Sequence, residues 1–496
     1  MGGMAGRSSG WFVAVVLWSL AAALGCGGGV GSSAAQPLPV RSERPPRPAT
    51  DRPPERWEVV VGRPTDRSAV LGIVAPATGE ARLRIGPVGG ALADVGVRAL
   101  LAGAPTEWEV SGLSADTAFT WRLEPTTGGD RAEGRFRTQR APGGRFRFGV
   151  QGDSHPEREG RSFDAALYER ALANASEDEL DLYVLLGDDF SIDPLLRRGQ
   201  ASAATVDAVY ATQRSWLSAL GRTTPLYLVN GNHEQAARYL LDGTAENPAL
   251  WAGRARIRHF PLPAPDAFYS GDREEIPHLG LPRDYYAWTW GDAQFVVIDP
   301  YWHSPGPVDH DGRAAGDGKD PAARGGKGQR DGWATTLGDA QYRWLTDTLL
   351  RSRTRWIFVF AHHVQGTGRG GVEVAGRFEW GDHGPDFTAR RPGWERTIHE
   401  LFVEAGVTIF FQGHDHVYAR QELDGVVYQT VPSPADPHFQ AIQASAYHSG
   451  TVLPNGGHLR VTVDPAQVAV EYVRAFRPAD PGRNGDVAHA YTIAPR

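Results

Sequence analysis

The sequence predicts a mixed α/β domain preceded by a small all-β domain, and two patterns predict it. Between Trp57 and Thr138, short runs of alternating or β-branched residues are broken by turn residues and show no 3.6-residue period, which argues a β-sandwich. From Phe146 onward, five apolar runs each end in Asp, Asn or His. Helix-length segments separate them, which argues β-α-β units whose central strands are buried on both faces. With 496 residues, 41% of them apolar, the chain is long enough for several domains with a real core. Its 51 Lys and Arg against 58 Asp and Glu give a net charge of −7, so there is no basic excess to hold a polyanion, and nucleic acid is not expected as a stable partner.

Taken in order, residues 1–26 read as a signal peptide. A small polar start carrying Arg7 leads into an apolar stretch from Trp11 to Leu24, shorter than the ~20 residues a membrane-spanning helix needs. The run Ala23-Leu24-Gly25-Cys26 resembles a bacterial lipoprotein signal, with Ala23 where Leu is usual, and contains the chain's only cysteine. Cys26 is then a lipidation site and the protein is anchored at the cell envelope; the alternative is simple secretion. Residues 27–54, rich in Gly, Ser, Pro and Arg, read as a disordered linker.

Residues 55–140 carry the short strands: Trp57 to Val61, Ser68 to Ala75, Ala81 to Ile85, Thr106 to Val110, Phe119 to Leu123 and Gly134 to Thr138. Leu113, Thr117 and Phe119 ahead of a strand resemble a fibronectin type III corner, with Phe119 in place of Tyr and Ala115 in place of Pro. Nothing in this segment looks catalytic.

The chemistry begins in residues 143–478. The run Phe146 to Gln151 leads into Gly152-Asp153-Ser154-His155, and Leu182 to Leu186 into Gly187-Asp188-Asp189. Leu226 to Val229 leads into Asn230-Gly231-Asn232-His233-Glu234, Trp356 to Ala361 into His362-His363, and Val407 to Phe411 toward Gly413-His414-Asp415-His416. Ligands of open α/β sheets gather beyond the carboxyl ends of strands. Asp153 and His155, two apart, can turn toward one cation, and the Asp188 carboxylate can bridge two. Asn232 adds a neutral oxygen, and His362, His414 and His416 add imidazoles. This mixture of hard oxygen and borderline nitrogen suits Mn, Fe or Zn. Seven groups exceed the four of a tetrahedral zinc site, so two metal ions sharing Asp188 is the economical reading.

These five blocks resemble the calcineurin-like metallophosphoesterase family, whose pattern is DxH, GD, GNH with an acidic residue, a strand-final His, then GHxH. The resemblance covers roughly residues 145 to 475. It implies a four-layer αββα sandwich and a phosphoester hydrolase in which water activated between two metals attacks phosphorus. It assigns Asp153, His155 and His416 to one metal and Asn232, His362 and His414 to the other, with Asp188 bridging. His233 would be a non-ligand histidine acting on the leaving oxygen. The leading sandwich makes the layout similar to purple acid phosphatases, but Ser191 stands where that group carries Tyr and the first block is DxH, so a colourless enzyme is expected.

Imidazole titrates near neutral pH, which suits His233 to general acid work with polarisation by Glu234 or Asp189; Glu234 could instead be an acid in the first turn of a helix. His363 is the alternative to His362, or a pocket residue. Tyr301 and Trp302 follow a strand end and are expected to line the pocket, with Arg369, Arg390 and Arg391 as candidates for a second anionic group. The segment His303 to Asp331 reads as a surface insertion in which Asp309-His310-Asp311 could bind a cation, though a solvated loop is the simpler reading. A hairpin, Val461 to Val463 then Val468 to Val473, completes a sheet, Arg477 to His489 reads as surface loop, and residues 479–496 as a C-terminal tail. The expected function is a phosphomonoesterase acting on a phosphorylated substrate. A phosphodiesterase or nucleotidase on the same metal core is the alternative, and a non-catalytic surface-anchored binding protein the alternative of a different class.

Overall fold

The computed structural model describes residues 54–308, 331–364, 369–381 and 383–495. The expected signal segment with Cys26, the expected linker up to residue 53 and Asp309-His310-Asp311 lie outside the described residues. Among the described residues no helix is long and apolar enough to cross a membrane.

The N-terminal domain holds seven strands in two antiparallel sheets. Glu58–Gly62, Ser68–Val74 and Thr106–Ser111 form one; Ala93–Leu100, Gly79–Pro87, Ala118–Pro125 and Ala132–Arg137 form the other. The strand Ala93–Leu100 was not among the expected runs. It is a mostly exposed edge strand with Gly96 inside it, so it lacks the alternation that burial imposes. The sandwich is docked rather than tethered. Arg214, buried on the helix Ala203–Gly221, donates to the Gly72 carbonyl at 2.7 Å. Trp121 Nε1 donates to the Arg222 carbonyl at 3.2 Å, and the Tyr269 hydroxyl to the Pro64 carbonyl at 2.7 Å.

The larger domain is the four-layer sandwich. Its first sheet has the order Leu226–Leu228, Leu182–Leu185, Phe146–Gln151, Gly457–Val463, Val468–Arg474, Val487–Ile493. The first three strands are parallel and Gly457–Val463 runs against them. The expected C-terminal hairpin is present, but the tail differs: Val487–Ile493 pairs with Val468–Arg474 as a further strand. Its residues are mostly exposed or half-buried, so backbone pairing rather than an apolar run defines it. The second sheet has eight strands, with Ala293–Val297, Trp356–Phe360 and Ile409–Gln412 parallel at its centre.

Period-two alternation assigns each side chain to a layer. Val184 faces the core between the sheets, whereas Tyr183 and Leu185 face the helices Ala165–Glu177, Ala203–Gly221 and Pro248–His259. In the second sheet Phe358 and Phe360 turn inward, while Ile357 and Val359 meet the helices Gly338–Leu350 and Ile398–Ala405. Buried on both faces, these strands read as continuous apolar runs. At the centre Phe148 is fully buried, with the rings of Phe295 and Phe358 each 5.1 Å away and Phe411 at 6.1 Å.

Because Phe148 joins the two sheets, Phe148→Ala is expected to cost about 3–5 kcal/mol of stability, read from the midpoint of a denaturant melt. A loss under ~1 kcal/mol would mean the sheets do not depend on this contact.

Candidate metal centre

The five blocks that end strands converge where the two sheets meet, three arriving from the first sheet and two from the second. Backbone bonds stitch the turns together: His155 N–H donates to the Asp188 carbonyl at 3.1 Å, and Gly413 N–H to the His362 carbonyl at 2.8 Å. Four of the site residues sit in the left-handed region, His155 at φ 50°, Asp188 at 58°, His414 at 66° and His416 at 48°. Each such residue costs of order 1–3 kcal/mol and persists only where the surroundings over-determine it. Here the sharp turns swing side chains from separate loops toward one point. Glycine makes room for them: a Cβ on Gly231 would collide with Asp188 Oδ1, and one on Gly413 with Asp153 Oδ1.

Asp188 Oδ2 is the centre. It lies 3.6 Å from His155 Nε2 and 3.2 Å from His362 Nε2, while its other oxygen accepts the His233 N–H at 2.9 Å. On one side His416 Nε2 is 3.1 Å and His155 Nε2 3.7 Å from Asp153 Oδ2. On the other, His362 Nε2 is 3.1 Å from Asn232 Oδ1 and 3.2 Å from His414 Nδ1. All seven sequence-predicted metal residues are therefore brought together around Asp188. His362 faces Asp188 and Asn232 directly, with its Nδ1 fixed 2.8 Å from the Leu186 carbonyl. His363 clusters with His362 and His414, and its Nδ1 is hydrogen-bonded to the Tyr301 hydroxyl at 3.1 Å.

The donor set fits divalent cations. His155 Nε2 is buried and has no hydrogen-bond partner, although two carboxylate oxygens face it. Two donors each about 2.1 Å from one ion stand about 3–3.6 Å apart, which is the spacing seen across this cluster. Its second nitrogen is oriented by Glu157 at 2.9 Å, the outer-shell carboxylate that ligating histidines commonly use. Burial, together with the charge of Arg158, holds the His155 imidazole well below its ordinary pKa, in the neutral form that binds metal. Burial alone would raise Asp153, but His362 and His416 outweigh it and hold that carboxyl at about 2. Asp188 is likewise held well below the usual range, burial being overcome by His362 and His233. Both stay carboxylates.

Several expectations about the supporting residues are corrected. The partner of His233 is neither Glu234 nor Asp189 but Asp193, whose Oδ2 is 2.6 Å from His233 Nδ1 and whose Oδ1 accepts from Gln235 Nε2 at 2.9 Å. Glu234 starts no helix; its buried carboxylate gathers the N–H groups of Asp189, Phe190 and Gly231 at 2.9, 3.1 and 2.8 Å. It fixes the loop that carries Asp188. Asp189 accepts instead from Ser154 Oγ and Gln151 Nε2 at 2.5 and 2.9 Å. Trp302 does not line the centre but packs in the helical layer of the first sheet, against Gly253. Arg390 and Arg391 are engaged with Asp331 and Glu379, each at 2.8 Å, and Arg369 braces the His414 turn through the His414 carbonyl and Asp415. Arg158, which sequence reasoning missed, does reach the site: its Nη2 lies 3.4 Å from His233 Nε2.

A family profile described as calcineurin-like phosphoesterase matches residues 146–418, more than half of the chain. Among solved structures the fold is similar to one titled structure of PhoD, at TM-score 0.57 and 16% identity over 88% of this chain and 90% of that one. It is also similar to the purple acid phosphatase PPD1 from yellow lupin (Lupinus luteus) seeds, at TM-score 0.54 and 14% identity over 88% and 74%. At these identities the likeness is one of fold. No curated protein matches the chain.

Removing the shared carboxylate should empty both halves of the centre. For Asp188→Ala the expected result is loss of both tightly bound metals by elemental analysis, together with loss of turnover; two metals retained after desalting would contradict a shared ligand.

Proposed function

The chain belongs to the calcineurin-like phosphoesterase family, and from that premise we propose that this phosphoester hydrolase is a two-metal phosphomonoesterase of acid-phosphatase type, exported to the bacterial cell envelope. The observation that carries the two-metal reading is the position of Asp188 Oδ2, within 3.6 Å of His155 Nε2 and 3.2 Å of His362 Nε2. Asp153, His155 and His416 would hold one ion, and Asn232, His362 and His414 the other. Mn, Fe or Zn fits this donor set. When bound, such a pair neutralises phosphoryl oxygens and supplies a nucleophilic water at neutral pH.

The chain's own residues do the rest. Asp193 fixes the His233 ring and its tautomer, leaving Nε2 directed at the cluster, 3.8 Å from Asp188 Oδ2. Burial works against a charged ring, but Asp188 and Asp193 outweigh it and raise His233 to about 9. Held in this orientation by Asp193, His233 would pass a proton from Nε2 to the leaving oxygen as the P–O bond breaks. Arg158 adds a second cationic donor on the same side, and a fork of this kind pairs with two phosphoryl oxygens. Two cationic donors beside the metals favour the dianionic monoester over a diester. Lipid anchoring through Cys26 rests on the sequence around it, with simple secretion as the alternative. A phosphodiesterase or nucleotidase remains the second reading of the same core.

Hydrolysis of aryl phosphate monoesters and diesters on one sample separates these readings. Monoester turnover that is abolished by chelation and restored by Mn or Zn is the expected outcome; preference for diesters would promote the second reading. His233→Ala should lower kcat by about 10²–10⁴ with both metals kept, and metal loss would overturn the proton-donor role. Asp193→Asn should cost about ten- to a hundredfold in kcat at unchanged metal content; wild-type turnover would show that the His233–Asp193 contact is idle.

A further inference from the structure

A second group of metal-type donors lies apart from the residues described above. Asp272, Asp284 and His303 each offer a ligand atom, and the three atoms lie within 4.8 Å of one another. They come from three segments that meet at one edge of the eight-stranded sheet. Asp272 follows the edge strand Ser270–Gly271, Asp284 stands two residues before the strand Tyr286–Trp290, and His303 lies beyond the strand Ala293–Val297.

The carboxylates are 2% and 0% exposed, and both are incompletely satisfied. Asp272 Oδ1 accepts the Glu274 N–H at 2.8 Å, and Asp284 Oδ2 lies 3.0 Å from His303 Nε2. Asp272 Oδ2 and Asp284 Oδ1 are buried without any hydrogen-bond partner. Buried polar atoms are almost always paired, and two buried carboxylates side by side repel unless a cation or a shared proton lies between them.

We infer that Asp272, Asp284 and His303 form a third divalent-cation site, structural rather than catalytic. Two carboxylates and a neutral imidazole around a divalent ion sum to zero charge, the balance a buried site requires. One imidazole with two carboxylates selects Zn or Mn over Mg or Ca, which take all-oxygen shells. The ion would fasten the segment from Asp299 to His303 against the sheet edge. That segment supports the catalytic centre: Asp299 accepts from Asn230 at 2.7 Å, two residues before Asn232, and Tyr301 holds His363.

The test is zinc stoichiometry of the full chain after loading with Zn and exhaustive desalting. The parent is expected to hold one more Zn per chain than the Asp272→Asn/Asp284→Asn variant; equal content in both would overturn the site. A second variant keeps the test decisive if that one does not fold. Asp153→Asn/Asp188→Asn, which disables the two-metal centre, is expected to keep one Zn, and that Zn should be lost on adding His303→Gln. No Zn in Asp153→Asn/Asp188→Asn, or Zn that survives His303→Gln, would overturn the inference. The difference of one ion stands whether or not the two-metal reading of the other cluster holds.

Discussion

One buried carboxylate, that of Asp188, organises the molecule. An unpaired charge at its depth would cost several kcal/mol, so what surrounds it must compensate, and the surroundings come from both sheets. His155 and the His233 N–H approach from turns of the first sheet, and His362 from a strand of the second. Because these groups lie far apart in sequence, the two sheets must stack in one register for the carboxylate to be satisfied. The apolar layer between them, with Phe148 among the rings of Phe295, Phe358 and Phe411, supplies the energy that holds that register. The left-handed turns at Asp188, His155, His414 and His416 are a cost this packing offsets.

The same geometry separates tasks that the sequence runs together. In the stretch from Asn230 to Glu234, Asn232 faces His362 and His233 points its Nε2 toward Asp188. Glu234 is spent on three backbone N–H groups. The acid next to His233 is thus a loop staple, while the acid that orients His233, Asp193, opens the short helix Asp193–Arg197 after the neighbouring strand. Precision at the centre rests on such outer contacts.

The fold and the metal cluster were legible because burial and ligation both leave strong local marks. A strand buried on both faces is a continuous apolar run, and a ligand must follow its end, so Phe146 to His155 and Val407 to His416 announce themselves. What was not legible depends on contacts distant in sequence or on backbone alone. Asp193 has no spacing rule linking it to His233, forty residues later in the chain. The exposed strand Ala93–Leu100 and the last strand Val487–Ile493 carry no apolar pattern, being made by pairing. Trp302 after a strand end reads as a pocket residue, yet the turn at Asp299 sends it into the helical layer. Asp272, Asp284 and His303 are spread over three segments with unremarkable neighbours, and only the folded sheet edge unites them.

The most direct test of the account is the metal–metal distance in the Mn- or Zn-loaded protein, by X-ray absorption or anomalous diffraction. Two ions about 3.5–4 Å apart with one Asp188 oxygen between them is the predicted result. A single ion, or two ions too far apart to share Asp188, would contradict it.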